Sequence, residues 1–368
     1  MRKRPFDNIF HSMVEFSSLR EAFHGAAKGK SNRLAVMSFE KDLEENLFAI
    51  RDEILNGTYE FGPYRSFYVT EPKLRLIESA CFRDRVVHHA IHNKLQAIYY
   101  PKFYHHSYAC IPGKGTHAAM LTLHRWLKKS HKGYFLKCDI RKYFPNINRT
   151  ILLDILKRSL KDQLLLELLE KLIYSAPNTG IPIGNLTSQL FANVYLNECD
   201  QFVKRELRER YYIRYMDDSV FLLDSHGKAV DLRRTVEAFL NERLKLELSP
   251  EKVRIGKVEE GIAFVGYCLR PGSIRVRGAA LRRIRGKVLQ AYRRSLAREK
   301  LDLSANWDHP KVRQSFFFKS WSSFVGQTLL ADNSFYLQRK VLKSIKEFSL
   351  QEEARKKESV PLTVSSPW

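Results

Sequence analysis

The chain has 368 residues, and its 63 lysines and arginines exceed its 40 aspartates and glutamates, giving a formal net charge of +23. A hydrophobic content of 44% is enough for a sizeable core and excludes a wholly disordered protein. No segment approaches the ~18 consecutive apolar residues of a membrane-spanning helix, so we do not expect an integral membrane protein.

The first half of the chain alternates helical and strand-like segments. Apolar residues at helical spacing predict four helices, over 37–57, 84–99, 116–129 and 150–174. Strands are predicted at FGPYRSFYVT (61–70) and at the short apolar run YFLKCDI (134–140). The second of these strands carries a carboxylate, Asp139, next to its end.

The second half continues this mixed pattern and then becomes basic. IPIGNLTSQ (181–189) is a loop, and two strands around a tight polar turn are predicted at YYIRYMDDSVFLL (211–223). Helices over 190–207 and 229–245 and a strand over 261–270 complete this part. From residue 278 the segment AALRRIRGKVLQAYRRSLAREK predicts a basic helix, with helices continuing to about 347.

Cysteine usage and charge indicate the compartment and the type of partner. The five cysteines, at 81, 110, 138, 199 and 268, form no CxxC pair, which argues against a zinc ribbon and a disulfide framework. The N-terminus has no sustained apolar region of a signal peptide, so we expect a cytoplasmic protein. The positive excess predicts a polyanionic partner, although charge alone does not separate RNA, DNA and acidic protein.

Three carboxylates are candidates for chemistry. Asp217 and Asp218 are adjacent on the predicted hairpin turn, where they repel each other unless a cation neutralises them. If the strand that carries Asp139 is a neighbour, these side chains converge on a pair of Mg²⁺ ions suited to in-line phosphoryl transfer. Oxygen ligands without a Cys/His cluster favour Mg²⁺ over zinc. An isolated Asp-Asp pair is more often a plain polar turn, so the interpretation depends on the rest of the chain.

Seven segments, in one order along the chain, resemble the motifs of reverse transcriptases. They are EPKLRLIESACFRDRVVHHAI and SYACIPGKGTHAA (fingers), LKCDIRKYFPNI (motif A), IPIGNLTSQLFANVYL (motif B), YMDD (motif C), LELSPEKV (motif D) and FVGYCLR (motif E). The resemblance spans about 33–345 and implies an RNA-directed DNA polymerase. It makes Asp139, Asp217 and Asp218 the catalytic residues and metal ligands, with the Ile140 backbone beside them. The implied cofactor is two Mg²⁺ ions, with Mn²⁺ as a possible substitute.

Within this family the motif B string resembles the reverse transcriptases of diversity-generating retroelements. Most members have a glutamine before the motif B glycine, whereas Ile183 stands there in this chain. Isoleucine offers packing but no hydrogen bond to an incoming nucleotide, which weakens discrimination between correct and incorrect pairs. The resemblance therefore implies an error-prone enzyme with mutations concentrated at template adenines. The alternative is that Ile183 is only a core residue of this loop.

The resemblance also implies a set of nucleotide-binding residues. Lys73 and Arg75 match the basic fingers positions that hold the triphosphate, where a guanidinium makes bidentate phosphate contacts. Phe144 matches the aromatic gate that excludes ribonucleotides at the sugar 2′ position. The set is completed by Ile183, Gly184, Gln189 and Lys252, the last as a proton donor to pyrophosphate. The plainer alternatives are a solvated charge pair, a core phenylalanine and a surface lysine.

Candidate nucleic-acid contacts lie in the fingers and in the basic helix. Arg83 and Arg85 either pair with Asp84 or contact template phosphates, and both interpretations stay open. Lys114 is assigned to the template or to backbone, because its GKGT string lacks the earlier glycine of a P-loop. The basic helix is interpreted as the thumb that grips the duplex by its phosphates. Its predicted contacts are Arg282, Arg283, Arg285 and Lys287.

The predicted architecture is an α+β right-hand polymerase fold. Its parts are an N-terminal helical extension (1–60), fingers and palm with an antiparallel sheet plus helices (61–275), a helical thumb (276–347) and a flexible tail (348–368). The resemblance implies template RNA, a cDNA–primer duplex and dNTPs as partners, together with a small basic helical accessory protein that is pentameric in the family. It implies no membrane partner.

Three functions are compatible with these motifs. The leading hypothesis is a mutagenic reverse transcriptase of a diversity-generating retroelement, which copies a template RNA into cDNA. An antiphage-defence reverse transcriptase has the same core, and flanking DNA with a near-repeat pair differing at adenines distinguishes the first from it. A non-catalytic RNA-binding scaffold is the third hypothesis, which a primer-extension assay tests.

Overall fold

The computed structural model describes residues 8–70, 74–129, 133–295 and 316–358. The chain divides into two compact units. The first comprises Met1–Ala119 and Lys132–Val258, and the second comprises Met120–His131 and Glu259–Trp368. The sequence predicts that the thumb begins at residue 276. The second unit already includes the chain from Glu259 onward, because a small β-sheet precedes the helices.

The N-terminal part of the first unit is helical: α1 (Ile9–Val14), α2 (Phe16–Ala27), α3 (Leu34–Lys41) and α4 (Leu43–Leu55). The single helix predicted over 37–57 is wrong, because the chain leaves the helical conformation at Asp42 (φ −119°, ψ 48°). The Asp42 carbonyl accepts a hydrogen bond from the Asn46 N–H at 3.0 Å, which opens α4. Aspartate favours helix ends over helix interiors, and buried Leu47 and Ile50 hold α4 on the core.

An antiparallel hairpin follows, made of β1 (Arg65–Val69) and β2 (Arg75–Ser79), with Val69 opposite Arg75. Two long helices come next, α5 (Phe82–Tyr99) and α6 (Thr116–Lys129). They confirm the helices predicted at these places. Several faces of α5 are apolar, and its side chains at Val86, Val87, Ile91 and Leu95 are fully buried, so this helix lies inside the first unit.

A four-stranded antiparallel sheet forms the centre of the first unit. Its strands are β3 (Tyr134–Asp139), β4 (Tyr211–Tyr215), β5 (Asp218–Leu223) and β6 (Arg254–Lys257), in the spatial order β4-β5-β3-β6. The register places Asp139 opposite Asp218 and Tyr215 opposite Asp218. The two carboxylate-bearing strands are therefore direct neighbours, as their assignment to one site requires.

Five helices surround this sheet: α7 (Tyr143–Asn146), α8 (Arg149–Ser159), α9 (Gln163–Tyr174), α10 (Leu186–Gln201) and α11 (His226–Leu244), with a π-helical turn at Phe202–Glu206 after α10. The single helix predicted over 150–174 is wrong. The chain is extended at the buried Leu160 (φ −111°, ψ 140°), and the Asp162 carboxylate then caps α9 by accepting from the Leu165 N–H at 3.2 Å. Aspartate is a favoured N-cap residue, so Asp162 indicated in the sequence that a new helix starts there.

The second unit combines a small sheet with helices. Its antiparallel strands are β7 (Ile262–Phe264), β8 (Tyr267–Arg270) and β9 (Ser273–Val276), and its later helices are α12 (Gly278–Arg294), α13 (Phe316–Thr328) and α14 (Ser334–Glu358). The strand predicted over 261–270 is a hairpin, because Val265 and Gly266 turn the chain with φ of 41° and 93°. The helices pack through Val288, Phe317 and Phe324.

The last helix differs from the predicted tail. α14 continues to Glu358, whereas the sequence analysis ended the thumb at residue 347 and assigned 348–368 to a flexible tail. The segment QEEARKKE consists largely of residues with high helix propensity, so it continues the preceding helix. Residues 359–368 lie outside the described part of the chain.

The structure also bears on two features that the sequence analysis argued against, a membrane-spanning helix and a disulfide framework. Among the described residues, none of the helices combines the length and apolar character needed to cross a bilayer. All five cysteines are free thiols, and the first in sequence, Cys81, is exposed.

Candidate active site

The three carboxylates lie at one end of the central sheet. Asp139 is the last residue of β3 and pairs in register with Asp218, the first residue of β5. Asp217 lies in the tight turn between β4 and β5, next to Met216, whose φ of 57° is in the left-handed region. The hairpin and the neighbouring strand thus bring together side chains that are 78 residues apart in the sequence.

Burial and mutual repulsion dominate the electrostatics of this cluster. Burial raises the pKa of Asp218 to about 6, opposed by the ammonium of Lys137, whose Nζ lies 2.8 Å from Asp218 Oδ2. Burial, followed by the charge of Asp139, raises the pKa of Asp217, while Lys252 and Arg75 lower it. The carboxylates are close enough to destabilise one another's charge, and the cluster therefore favours bound cations.

Two lysines supply positive charge within the chain itself. The Lys252 ammonium donates to Asp139 Oδ1, and the Ser249 hydroxyl lies 3.4 Å from the same oxygen. Lys137, on β3, pairs with Asp218 in the same way. Sequence analysis placed Lys252 near the chemistry but missed Lys137. The sequence did contain a signal for Lys137, because Lys137 and Asp139 are two residues apart on one strand and therefore share a face of the sheet.

The donor set fits a divalent cation. Among the described residues, no three histidine, cysteine, aspartate or glutamate side chains stand close enough together to enclose a metal ion. In this structure Asp139 and Asp218 each contact a lysine instead. However, Asp218 Oδ1 is buried and has no hydrogen-bond partner, which is unfavourable for a carboxylate oxygen. Hard oxygen donors with one such buried atom suit Mg²⁺ or Mn²⁺.

The motif B loop lies beside strand β2. The Glu78 N–H donates to the Ile183 carbonyl at 3.0 Å. Gly184 has a φ of 133°, and a Cβ there would lie 2.9 Å from the Glu78 carbonyl oxygen, so the close approach depends on glycine. Ile183 is half-buried, whereas Gly184 and Gln189 are exposed. Ile183 and Gly184 thus lie along one edge of the β1–β2 hairpin. The loop predicted over 181–189 is wrong in its last part, because α10 begins at Leu186 and Gln189 lies on that helix.

Arg75 begins strand β2 and is exposed. Its charge contributes to lowering the pKa of Asp217, so the strand brings the guanidinium within electrostatic reach of the carboxylates. Lys73, the other predicted triphosphate contact, lies outside the described residues. Arg75 thus lies within electrostatic reach of Asp217, and Ile183 contacts Glu78 on the same strand as Arg75. Their assignment to a single nucleotide site stays a prediction.

Two further predicted site residues, Phe144 and Ile140, follow Asp139 in motif A. Phe144 is half-buried against Tyr143 in an edge-to-face contact (centroids 5.6 Å apart, 69° between planes). Its carbonyl accepts from the Ile181 N–H at 3.1 Å, which ties motif A to the loop. Ile140 is buried and forms an isolated antiparallel bridge with Leu248. Whether these residues contact nucleotide stays a prediction.

The arginines of α5 have partners within the chain. The Arg83 guanidinium contacts Glu53 at 2.6 Å, and the Arg85 Nε donates to the Ala80 carbonyl at 2.9 Å. Asp84, proposed above as their alternative partner, instead accepts from the Tyr59 hydroxyl at 2.7 Å and from a backbone N–H. Both arginines are half-buried, and each already makes a contact within the chain. Their predicted contacts with template phosphates stay a prediction.

Lys114 also has an internal role. Its ammonium donates to the carbonyls of His105 and Ser107 at 2.6 and 3.1 Å and lies over the Tyr108 ring. It therefore organises the loop that precedes α6, and a template contact remains a prediction. On α5, His88 is buried, and burial, followed by the charge of His89, lowers its pKa to about 3.

The basic helix α12 has two faces. Ile284 and Val288 are buried in the core of the second unit, while Arg282, Arg283 and Lys287 are exposed. Arg285 is half-buried, and its Nη2 donates to the Ser344 hydroxyl of α14 at 2.8 Å. Three of the four predicted contacts therefore lie on the solvent face, and Arg285 also links two helices.

Sequence analysis missed a buried ion pair behind the motif C turn. Arg214 on β4 is 2% exposed and forms a bidentate pair with the fully buried Asp200, at 2.8 and 2.6 Å. A third nitrogen, Nη1, donates to the Met216 carbonyl at 3.0 Å and so holds the turn itself. The sequence signal was Arg214, which interrupts the apolar run YYIRYM and is costly to bury unless it is paired.

Comparison with known proteins identifies the family. The family model "Reverse transcriptase (RNA-dependent DNA polymerase)" matches residues 69–269, more than half of the chain. The chain therefore belongs to the reverse transcriptases. This confirms the predicted enzyme class, an RNA-directed DNA polymerase, and agrees with the mixed helical and antiparallel-sheet organisation of the right-hand polymerase fold.

Its relatives include intron-encoded proteins. Protein YkfC of Escherichia coli K12 is 27% identical over 285 residues, which cover 64% of this chain and 75% of that protein. The group II intron-encoded protein LtrA of Lactococcus lactis is 25% identical over 321 residues, covering 67% of this chain but 52% of LtrA. The chain thus spans about half the length of LtrA. Telomerase of Candida albicans is similar in structure, with a TM-score of 0.45, 11% identity, and coverage of 79% of this chain and 56% of that one.

Proposed function

We propose that this chain copies a template RNA into cDNA by extending a primer with dNTPs, using two Mg²⁺ ions for which Mn²⁺ can substitute. The observation that carries the proposal is the sheet register that puts Asp139 opposite Asp218 and next to the Asp217 turn. In this proposal the three side chains hold the ions, which supply charge neutralisation at the reacting phosphate when bound. The cytoplasmic location expected from the cysteine pattern belongs to the same proposal.

The surrounding side chains have distinct tasks in this proposal. Lys137 and Lys252 neutralise the carboxylates before the ions bind, and Lys252 is then close enough to the site to donate a proton to pyrophosphate. Arg75 neutralises the triphosphate through its guanidinium. Phe144 excludes the 2′-hydroxyl, and Arg282 and Arg283 on α12 contact duplex phosphates.

We further propose that the enzyme is error-prone at template adenines and belongs to a diversity-generating retroelement. The support is Ile183, whose backbone is hydrogen-bonded to β2 and whose side chain has no polar atom to offer a nucleotide. The partners in this proposal are template RNA, the cDNA–primer duplex and a small basic helical accessory protein, pentameric in the family. The support for the accessory protein is the motif resemblance.

The Ile183→Gln variant tests the error-prone proposal. A glutamine can make a directional contact worth ~1–3 kcal/mol, which corresponds to roughly tenfold to a hundredfold in discrimination. We expect lower misincorporation, most clearly opposite template adenine, with measurable polymerase activity retained. The measurement is sequencing of cDNA made by both enzymes on one RNA template.

Ile151→Gln is the matched control, because Ile151 is a half-buried isoleucine on α8, outside the motif B loop. It receives the same change in chemistry, and we expect its error spectrum to equal that of the unmodified chain. Equal adenine error rates in active Ile183→Gln and unmodified enzymes would contradict the assignment of infidelity to Ile183.

A further inference from the structure

We propose that Glu78 and Asn178 are positioning residues that set the misincorporation frequency by fixing Ile183 beside strand β2. The inference rests on the proposed function and deepens it, because it says what holds the residue to which infidelity is assigned. Its physical basis is a hydrogen bond between the buried carboxylate of Glu78 and the side-chain amide of the exposed Asn178, which joins the β1–β2 hairpin to the motif B loop. We call this contact, Glu78 Oε1 to Asn178 Nδ2, the loop clasp.

The loop at 175–185 has no regular secondary structure of its own, so side chains must hold it. Its first part is fixed to α8 by Arg149, which donates to the carbonyls of Gly180 at 2.7 Å and Ala176 at 3.0 Å and also to that of Asn178. A Cβ at Gly180 would collide with the Phe144 carbonyl oxygen. This half of the loop is therefore in close contact with Phe144 and Pro145 of α7, the helix that follows Asp139 in the chain.

The same loop is also fixed to the β1–β2 hairpin. Glu78 is 6% exposed, and its Oε1 accepts from Asn178 Nδ2 at 2.6 Å, while its own N–H donates to the Ile183 carbonyl at 3.0 Å. Asn185, which is 4% exposed, donates to the Tyr64 hydroxyl at 3.0 Å. Glu78 therefore contacts the loop twice, once through its side chain and once through its backbone.

These contacts couple two residues of the nucleotide site. Arg75 and Glu78 lie three positions apart on one short strand, so the distance between them is set by the strand geometry. A change at the loop clasp therefore alters the position of Ile183 relative to Arg75. A buried carboxylate without its donor is costly, and the loop is expected to shift when that donor is removed.

The test is a reversal of the hydrogen bond. Asn178→Asp places a carboxylate against the Glu78 carboxylate and breaks the loop clasp by repulsion. Adding Glu78→Gln to that variant restores the bond with donor and acceptor exchanged, because the new amide donates to the new carboxylate. The control is Asn46→Asp, since the Nδ2 of Asn46 also donates a hydrogen bond, to the Phe39 carbonyl outside the loop.

Two quantities are measured on the full chain. The first is total misincorporation, from sequencing of cDNA made on one RNA template, together with its distribution over the four template bases. The second is hydrogen–deuterium exchange of peptides that cover 175–185. We expect Asn178→Asp to raise total misincorporation at least threefold and to reduce the adenine share, because a less constrained Ile183 accepts more kinds of mispair. Exchange in the loop should accelerate as well.

We expect the double variant to return to within twofold of the unmodified chain in both quantities, and Asn46→Asp to change neither. Misincorporation by Asn178→Asp within twofold of the unmodified chain overturns the inference. So does a double variant that shows no recovery.

The same data separate the inference from the proposed function. An unmodified enzyme without adenine bias contradicts the error-prone proposal, yet total misincorporation in the variants still decides the role of the loop clasp. If the unmodified enzyme is adenine-biased and Asn178→Asp leaves its misincorporation unchanged, the error-prone proposal stands and the inference about the loop clasp is overturned. If the unmodified chain does not polymerise, unchanged exchange at 175–185 in Asn178→Asp overturns the inference, and faster exchange that Glu78→Gln reverses supports it.

Discussion

Asp217→Asn together with Asp218→Asn is expected to abolish dNTP incorporation while leaving RNA binding largely intact. The two side chains lie at the turn between β4 and β5, where burial raises both carboxyl pKa values and Asp218 Oδ1 has no partner. Neutral amides remove the negative charge that would hold divalent ions, and a loss of several kcal/mol corresponds to about a thousandfold or more in rate.

The measurement is primer extension on an RNA template, with template–primer binding measured in parallel by fluorescence anisotropy. Asp224→Asn together with Asp231→Asn is the control, because both carboxylates are exposed and pair with Lys228 and Arg234 on the protein surface. It removes the same charge and should leave incorporation unchanged. Polymerisation by the Asp217/Asp218 variant at the unmodified rate would contradict the assignment of these residues to the metal site.

Arg214→Met is expected to lower the free energy of unfolding by about 3–5 kcal/mol, because it leaves the Asp200 carboxylate buried and unpaired. The pair is bidentate and both side chains are almost fully buried, so bulk solvent does not reach the Asp200 carboxylate to replace the guanidinium. The Met216 carbonyl in the motif C turn loses its Nη1 donor in the same variant. Chemical denaturation measures the first effect and primer extension the second.

A second variant separates stability from turn geometry. Asp200→Leu combined with Arg214→Met replaces the ion pair by apolar groups of similar size, which is often neutral for stability. We expect it to recover only part of the lost stability, because the buried Tyr212 hydroxyl, which donates to Asp200 at 2.7 Å in the unmodified chain, no longer has an acceptor. We also expect it to incorporate dNTPs roughly tenfold more slowly than the unmodified chain, since a charged hydrogen bond of ~1.5–3 kcal/mol to the turn is still missing. A double variant with the unmodified rate would show that the turn does not depend on Arg214.

The sequence contained enough to predict the centre of the site. Apolar runs next to Asp139 and around Asp217 indicate strands, and a tight turn between two strands limits where its carboxylates can lie. Once the two strands are neighbours, the antiparallel register leaves little freedom for these side chains. Motif order supplied the remaining information, because it assigned the two strands to one sheet.

Other parts depend on contacts between residues far apart in the chain. Lys252 reaches Asp139 and Arg214 reaches Asp200 only when the sheet and its helices are assembled. Leu160 interrupts a leucine-rich helical pattern because Asp162 caps the next helix and also accepts from the Phe10 N–H at 2.8 Å. Periodicity reports the apolar face of a helix, but it does not report where tertiary contacts end that helix.

The loop clasp could not be predicted from the sequence for the same reason, since it joins residues far apart in the chain. Glu78 and Asn178 are 100 residues apart, and each alone is typical of an exposed polar position in a hairpin or a loop. The burial of Glu78 follows from the approach of the motif B loop to β2, which in turn depends on Gly184. Sequence analysis identified the neighbouring Arg75 and Ile183 by motif, and the structure supplies what holds them in relation to each other.

Primer extension by the unmodified chain on an RNA template tests the central claim most directly. The assay contains a DNA primer, Mg²⁺ and either dNTPs or rNTPs, with the Asp217→Asn/Asp218→Asn variant alongside. We expect DNA product up to the template end with dNTPs, little extension with rNTPs if Phe144 excludes the 2′-hydroxyl as proposed, and no product from the variant. Binding of the template–primer without any dNTP incorporation by the unmodified chain would contradict the claim that these carboxylates form a polymerase site.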